Sequence, residues 1–150
     1  MNQKTVEKPI PFWVTSYDSK ETSQWPTVVV VDDDEHFGEQ FWQRLSEWGF
    51  NVKFVCVNEN YSPNNQDLRE LVTTIVNTGA KLAIVDVGLG YFNGIDVIER
   101  LREQIQIIMF AGLLDNSEIH GIADEYIRKP AMMESIVPVV KRLLERYKKN

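Results

Sequence analysis

The chain alternates short, β-branched apolar runs with longer amphipathic stretches, and this alternation limits its possible folds more than any other feature. The predicted strands are 27–31, 51–57, 82–85, 105–110 and 125–128. The predicted helices are 37–48, 67–78, 95–103, a short one near 117–122, and 132–147. Strict alternation of this kind predicts a parallel sheet with helices on both faces, because right-handed crossovers place successive helices there. We therefore expect a doubly wound α/β fold.

Composition and charge exclude several classes of protein. The 150 residues are 43% hydrophobic and 25% charged, which suits one domain with a sizeable core. The net charge of -6 disfavours direct binding to nucleic acid. Cys56 is the one cysteine, the N-terminus lacks a signal-peptide pattern, and no apolar run approaches the roughly 20 residues of a membrane span. We expect a cytoplasmic protein without a membrane segment.

The first 26 residues differ from the rest of the chain. They contain three prolines and no sustained period, so residues 1–26 are predicted to be an arm without regular structure. Phe12, Trp13 and Trp25 suggest that parts of this arm dock on the domain, which is predicted to span 27–150.

Charged side chains follow three of the predicted strands, where the ligand sites of open α/β sheets lie. Asp32, Asp33 and Asp34 follow the first strand, Asp86 the third and Lys129 the fifth. Crowded carboxylates repel one another unless a cation intervenes, and oxygen ligands suit Mg²⁺. Asp86 could then attack phosphorus while Lys129 pairs with a phosphoryl oxygen, forming an aspartyl phosphate. Asp34 is instead expected to stabilise the N-terminus of the next helix.

Three motifs together resemble the receiver domain of response regulators in two-component signalling, over residues 27–148. The motifs are Val-Val-Asp32-Asp33, Asp86 with Gly94 eight residues on, and Tyr126-Ile-Arg-Lys129-Pro130. The resemblance implies a flavodoxin-like (βα)5 fold with a five-stranded parallel sheet in the order 2-1-3-4-5. It also implies a cis peptide bond before Pro130.

The same resemblance implies a role for each residue at the strand ends. Asp86 would be the phosphoacceptor and Lys129 its phosphate partner. Asp32, Asp33 and the backbone carbonyl of Gly88 would hold Mg²⁺. The donor would be a histidine kinase or a phosphotransfer protein. The chain would thus be a regulatory phosphoacceptor, and not an enzyme with a separate substrate.

Two positions concern the switch that normally reports phosphorylation. Ala111 stands where the family usually has Ser or Thr, whose hydroxyl bonds the phosphoryl group, and Tyr126 occupies the position of the switch aromatic. Losing one state-dependent contact predicts weakened coupling. The stretch 112–129 leaves room for only a shortened fourth helix. The signal would pass to a downstream protein partner or an output domain. A homodimer through the face of the fourth and fifth helices is a further expectation, with Asp124 and Glu125 available to basic residues such as Lys141 or Arg142.

Two alternatives stay open at the level of sequence. One is a phosphorylation-independent pseudo-receiver that acts as a protein-docking module, which Ala111 favours. The other is a haloacid-dehalogenase-like phosphatase, because Asp32 and Asp34 form its Asp-x-Asp motif with Asp32 as nucleophile. Glu35 and His36 do not fit the residues that this family has after the second aspartate.

Overall fold

A computed structural model describes residues 10–16, 24–112 and 121–148. The strands are β1 (Phe12–Ser16), β2 (Val28–Asp32), β3 (Val52–Val57), β4 (Leu82–Asp86), β5 (Gly88–Leu89), β6 (Phe92–Asn93), β7 (Gln106–Ala111) and β8 (Glu125–Arg128). The helices are α1 (Glu35–Glu47), α2 (Asn65–Asn77), α3 (Gly94–Leu101) and α4 (Met133–Leu144), followed by a short 3₁₀ helix (Glu145–Tyr147). The five predicted strands form within one residue of their expected bounds. The helix predicted near 117–122 lies largely in 113–120, outside the described residues.

The main sheet has six strands in the order β1-β3-β2-β4-β7-β8. Strands β3, β2, β4, β7 and β8 are parallel, and they are the second, first, third, fourth and fifth of the predicted strands. The sheet is therefore a parallel α/β sheet, with one antiparallel strand at its edge. A separate hairpin, β5-β6, follows β4.

Strand β1 corrects two predictions: residues 12–16 are a regular element, and the sheet is not purely parallel. It pairs with β3 in antiparallel register, from Phe12 opposite Val57 to Ser16 opposite Lys53. Without β1, strand β3 would be the edge of the sheet and would expose unpaired backbone donors and acceptors. Pairing with β1 satisfies these groups. The side chain of Asn58 extends this contact by donating to the carbonyl of Ile10 at 3.0 Å.

Two hydrophobic cores lie on the two faces of the sheet. Alternate residues of β2 enter different cores: Val28 and Val30 join the core under α1 and α4, and Val29 and Val31 join the core under α2 and α3. Because both faces are covered, the strand reads as a continuous apolar run. Within the described residues, every helix is too short or too polar to cross a bilayer.

Side-chain caps define where the first three helices begin. The carboxylate of Asp34 accepts the backbone N–H of Phe37 at 3.0 Å, which confirms the helix-terminus role predicted for Asp34. Asn64 and Asp67 form a reciprocal capping box at α2, and Asn93 caps α3. The cap on α1 places its first turn beside the end of β2.

Gly38 in α1 lies directly against the ring of Phe54. A Cβ atom at position 38 would stand 1.4 Å from Cε2 of Phe54, whose side chain is buried in the core. Because overpacking a core costs about 1–3 kcal/mol, we expect Gly38→Ala to lower the free energy of unfolding by about 2 kcal/mol. Urea unfolding measures this loss. Gly112→Ala, whose Cβ would have no heavy atom of the other described residues within 4 Å, is the matched control, and equal losses in both variants would contradict the packing argument.

Candidate functional site

The candidate site lies at the carboxyl ends of three parallel strands. Asp32 ends β2 and Asp33 follows it, Asp86 ends β4, and Lys129 follows β8. One carboxylate oxygen from each of the three aspartates lies within 4.8 Å of the others. The Nζ atom of Lys129 lies 2.5 Å from Oδ2 of Asp86 and 3.6 Å from Oδ2 of Asp32. The structure thus brings together the four side chains that strand order predicted to converge.

Burial sets the electrostatics of the aspartate cluster. Asp32 is 1% exposed and accepts the backbone N–H of Asp34 at 2.9 Å. Desolvation by burial raises the pKa of Asp32 to about 7, and the negative charge of Asp86 acts in the same direction. Burial also raises the pKa of Asp33, again with a contribution from Asp86. The ionised form of the cluster is therefore costly unless positive charge is supplied.

The donor set fits a divalent cation of the Mg²⁺ type. Three carboxylates converge, and Lys129 contributes the charge of one ammonium group. Oxygen ligands at an open site are those that such hard cations prefer. Asp86 also accepts the backbone N–H of Gly88 at 2.8 Å, which orients its carboxylate in the cluster. The predicted role of the Gly88 carbonyl stays a prediction.

Ala111 and Tyr126 lie on the two neighbouring strands β7 and β8, with Tyr126 opposite Met109, two residues before Ala111. Ala111 ends β7 and is 2% exposed, and its carbonyl accepts the backbone N–H of Lys129 at 2.6 Å. The hydroxyl of Tyr126 donates to the carbonyl of Gly112 at 3.2 Å. The Lys129–Pro130 bond is cis, as the resemblance implies. Position 111 thus presents a buried methyl group, while the hydroxyl of Tyr126 contacts Gly112, the residue after Ala111.

Two aromatic residues of the site were not predicted from the sequence. The Nζ atom of Lys129 lies 4.3 Å from the ring centroid of Phe37 and 5.0 Å from that of Phe110. Their spacing identified Phe37 and Phe110 only as apolar positions of a helix and a strand. The one available signal was position, since Phe110 directly precedes Ala111 and Phe37 lies in the first turn of α1.

A cavity of about 420 Å³ gives access to the site. Asp86 and Lys129 line one part of it, Phe37 forms part of its wall, and Gln40 and Arg44 extend the lining along α1. The carboxylate and ammonium groups therefore face a space that a phosphoryl group can enter.

Comparison of the sequence with known proteins shows similarity to response regulators. No family model matches the chain. The chain is 30% identical over 128 residues to the regulatory protein VanR of Enterococcus faecium, covering 81% of the chain and 51% of VanR. It is 27% identical over 126 residues to the response regulator MprA of Mycolicibacterium vanbaalenii, covering 79% and 50%. The chain thus spans about half the length of the curated relatives it matches.

Comparison with solved structures shows the same fold. A receiver domain of the Francisella response regulator 1452 superposes with a TM-score of 0.64 at 24% identity, covering 82% of this chain and 99% of that one. A response regulator receiver domain from Methanospirillum hungatei superposes with a TM-score of 0.66 at 22% identity, covering 81% and 95%. At these identities the likeness concerns the fold.

Proposed function

We propose that the chain is a receiver domain of the response-regulator type and that Asp86 accepts a phosphoryl group in two-component signalling. One observation carries the proposal: the Asp86 carboxylate lies beside the Lys129 ammonium and two further carboxylates, at the mouth of an open cavity. This arrangement supplies a nucleophile, a positive charge for phosphoryl oxygens and a route for the donor.

The proposed step is transfer from a phosphohistidine of a histidine kinase or a phosphotransfer protein. An oxygen of Asp86 forms a bond to phosphorus while the bond from phosphorus to the imidazole nitrogen breaks. The electron pair of that bond leaves with the imidazole, which is neutralised by a proton. The ammonium of Lys129 attracts the charge on the phosphoryl oxygens throughout. The domain is changed by this step, so we propose a regulator and not an enzyme with a separate substrate.

Mg²⁺ is the proposed cofactor. Asp32, Asp33 and Asp86 would hold it, together with the carbonyl of Gly88. When bound, the ion supplies positive charge against the carboxylates and the phosphoryl oxygens. The raised pKa of Asp32 supports this assignment, because a buried carboxylate needs such a partner to stay ionised.

The intact mass of the protein after incubation with acetyl phosphate tests the proposal. With Mg²⁺ we expect a gain of one phosphoryl group, and with a chelator we expect none. Reduction of the product with borohydride, followed by peptide mass spectrometry, should mark Asp86. The proposal fails if no group is gained or if the label maps to another residue.

We further propose that phosphorylation is weakly coupled to Tyr126. The support is the methyl group of Ala111, which offers no hydrogen bond to a phosphoryl group, and the existing bond from Tyr126 to Gly112. The signal would pass to a downstream protein partner or an output domain. A homodimer stays a prediction, but Arg142 pairs with Glu125 within the chain at 2.9 Å, so this pair is engaged before any dimer forms.

Restoring the missing hydroxyl should strengthen the response. We expect Ala111→Thr to increase the change in hydrogen exchange of 121–128 on phosphorylation, because one hydrogen bond of about 1 kcal/mol shifts a two-state equilibrium about fivefold. Ala111→Val has a similar shape without the hydroxyl and is the matched control. Equal responses in the two variants would count against the coupling argument.

The pseudo-receiver is the second candidate function, and the buried methyl of Ala111 is the observation that favours it. It becomes the better explanation if acetyl phosphate adds nothing to the protein. The hypothesis of a haloacid-dehalogenase-like phosphatase has less support. Asp34, the second aspartate of its motif, caps α1, and Asp32 is almost fully buried.

A further inference from the structure

We propose that Phe37 and Phe110 are positioning residues that hold the ammonium group of Lys129 in line with Asp86 during phosphoryl transfer. The two rings are called the aromatic seat below. This inference rests on the proposed function, because it assigns the residues that orient the phosphate partner. It also has a readout in the unphosphorylated protein.

The seat has the geometry of a cation–π site. Nζ of Lys129 lies over both rings, at 4.3 Å from the centroid of Phe37 and 5.0 Å from that of Phe110, within the roughly 6 Å over which a ring attracts an ammonium group. The side chain of Lys129 is 27% exposed, so water screens this attraction only in part. Both rings therefore act on the ammonium that faces Asp86.

Packing fixes the two rings in place. Phe37 and Phe110 stack with centroids 5.9 Å apart and planes inclined by 22°. Phe110 is 3% exposed, and Phe41 packs against it with a centroid separation of 5.7 Å. Phe110 lies in the close-packed core and the partly buried Phe37 packs against it, so the seat is preorganised.

The seat also persists through the reaction, whereas the main ion pair does not. Lys129 pairs with the carboxylate of Asp86, and phosphoryl transfer converts that carboxylate into an acyl phosphate. The ammonium must then move its contact from a carboxylate oxygen to a phosphoryl oxygen. The rings are unchanged by this step and hold the ammonium in both states.

The residue at position 111 makes this positioning more important. Ala111 has no hydroxyl, so among the described side chains that end or directly follow β2, β4, β7 and β8 and line the cavity, Lys129 is the one that can donate to the phosphoryl group in the proposed step. Any loss of orientation of the Lys129 ammonium group would then directly lower the rate of phosphoryl transfer. Phe110 precedes Ala111 in β7, so the strand that lacks the hydroxyl supplies one of the two rings.

Fluorinated phenylalanines at position 37 test the seat. Successive ring fluorines withdraw electron density from the face and weaken cation–π attraction, while ring size changes little. We expect the rate of Asp86 phosphorylation by acetyl phosphate to fall stepwise across the mono-, di- and trifluoro series, by about tenfold in total. The same series at Phe50, which packs against Trp25 in the core, is the matched control and should leave the rate unchanged.

Substitutions with standard amino acids distinguish a cation–π role of the aromatic seat from a role in packing alone. Phe37→Leu removes the ring and should slow phosphorylation about as much as trifluorination, whereas Phe37→Tyr keeps a ring and should retain most of the rate. Thermal unfolding of each variant shows whether stability has changed. A rate that follows stability and not ring character would overturn the inference.

A second measurement does not depend on phosphorylation. The ε protons of Lys129 should show an upfield ring-current shift in the NMR spectrum of the parent protein, and Phe37→Leu should reduce it. Absence of that shift overturns the seat, whatever the phosphorylation result. A parent that shows the shift but gains no phosphoryl group overturns the proposed function and, with it, the positioning role. A phosphorylated parent with equal rates across the fluorinated series overturns the positioning role alone.

Discussion

An Asp86→Asn variant is expected to take up no phosphoryl group from acetyl phosphate under conditions in which the parent takes up one. Asparagine is nearly the same size and can still accept the N–H of Gly88, which Asp86 accepts at 2.8 Å. Its neutral amide oxygen, however, is a poor nucleophile and lacks the charge that pairs with Lys129. We expect the rate to fall by about a hundredfold or more, since the nucleophile itself is removed.

Matched variants make this result specific. Asp96 is an exposed aspartate in the first turn of α3 that is not one of the three clustered carboxylates, and Asp96→Asn should be phosphorylated like the parent. Asp33→Asn keeps the nucleophile but removes a proposed metal ligand, so its phosphorylation should need more Mg²⁺. Uptake by Asp86→Asn at the parent's rate would place the nucleophile elsewhere. If a change of Asp32, and not of Asp86, abolished phosphoryl uptake, the phosphatase interpretation would be favoured.

The stability of the metal-free protein is expected to fall as the pH rises from about 4 to about 7, mainly because of Asp32. Burial raises the pKa of this carboxyl group from 3.8 to about 7 in the folded state. Between these values the folded protein binds a proton that the unfolded chain has released. The stabilisation is therefore fully present below the unfolded pKa and is lost as the pH passes the folded pKa, with a total on the order of 4 kcal/mol. Asp33, whose pKa is also raised, acts in the same direction.

Asp32→Asn isolates this effect. The neutral amide can still accept the N–H of Asp34, but it has no charge to desolvate. In the presence of a chelator, we expect the variant to be more stable than the parent at mildly alkaline pH and similar to it at acid pH. Mg²⁺ should stabilise the alkaline parent more than the variant, because it binds the ionised cluster.

Urea unfolding of the parent and Asp32→Asn at both pH values provides the measurement. The difference between the two proteins cancels the titration of groups far from the cluster. Asp34→Asn, which changes an exposed capping residue, controls for the substitution itself. Parallel pH profiles for the parent and Asp32→Asn would show that Asp32 titrates normally and that burial does not perturb it.

Local patterns in the sequence determined the five parallel strands and the Asp34 cap of α1. The apolar runs report burial on both faces of a sheet, because they recur at strand length between amphipathic stretches. Asp34 could be assigned to the helix start because capping involves residues only three positions apart. Asp32, Asp86 and Lys129 could be predicted to lie close together because the carboxyl ends of parallel strands share one edge of the sheet.

Strand β1 was decided only in the tertiary structure. The segment Phe12–Ser16 is short and lies among prolines, so its own pattern predicts an arm. It becomes a strand because β3 offers backbone donors and acceptors along its free edge. Such pairing depends on a partner distant in the chain, and the spacing of apolar residues within the segment does not encode it.

The electrostatics of the site were also decided by packing. The sequence determined which charged groups lie at the strand ends, but the raised pKa of Asp32 results from how completely β2 is covered. In the same way, Phe37 and Phe110 satisfy the patterns of a helix and a strand, and only the fold places both rings against Lys129. Residue type and spacing specify local structure and strand ends, whereas desolvation and ring contacts depend on distances between segments that are remote in the chain.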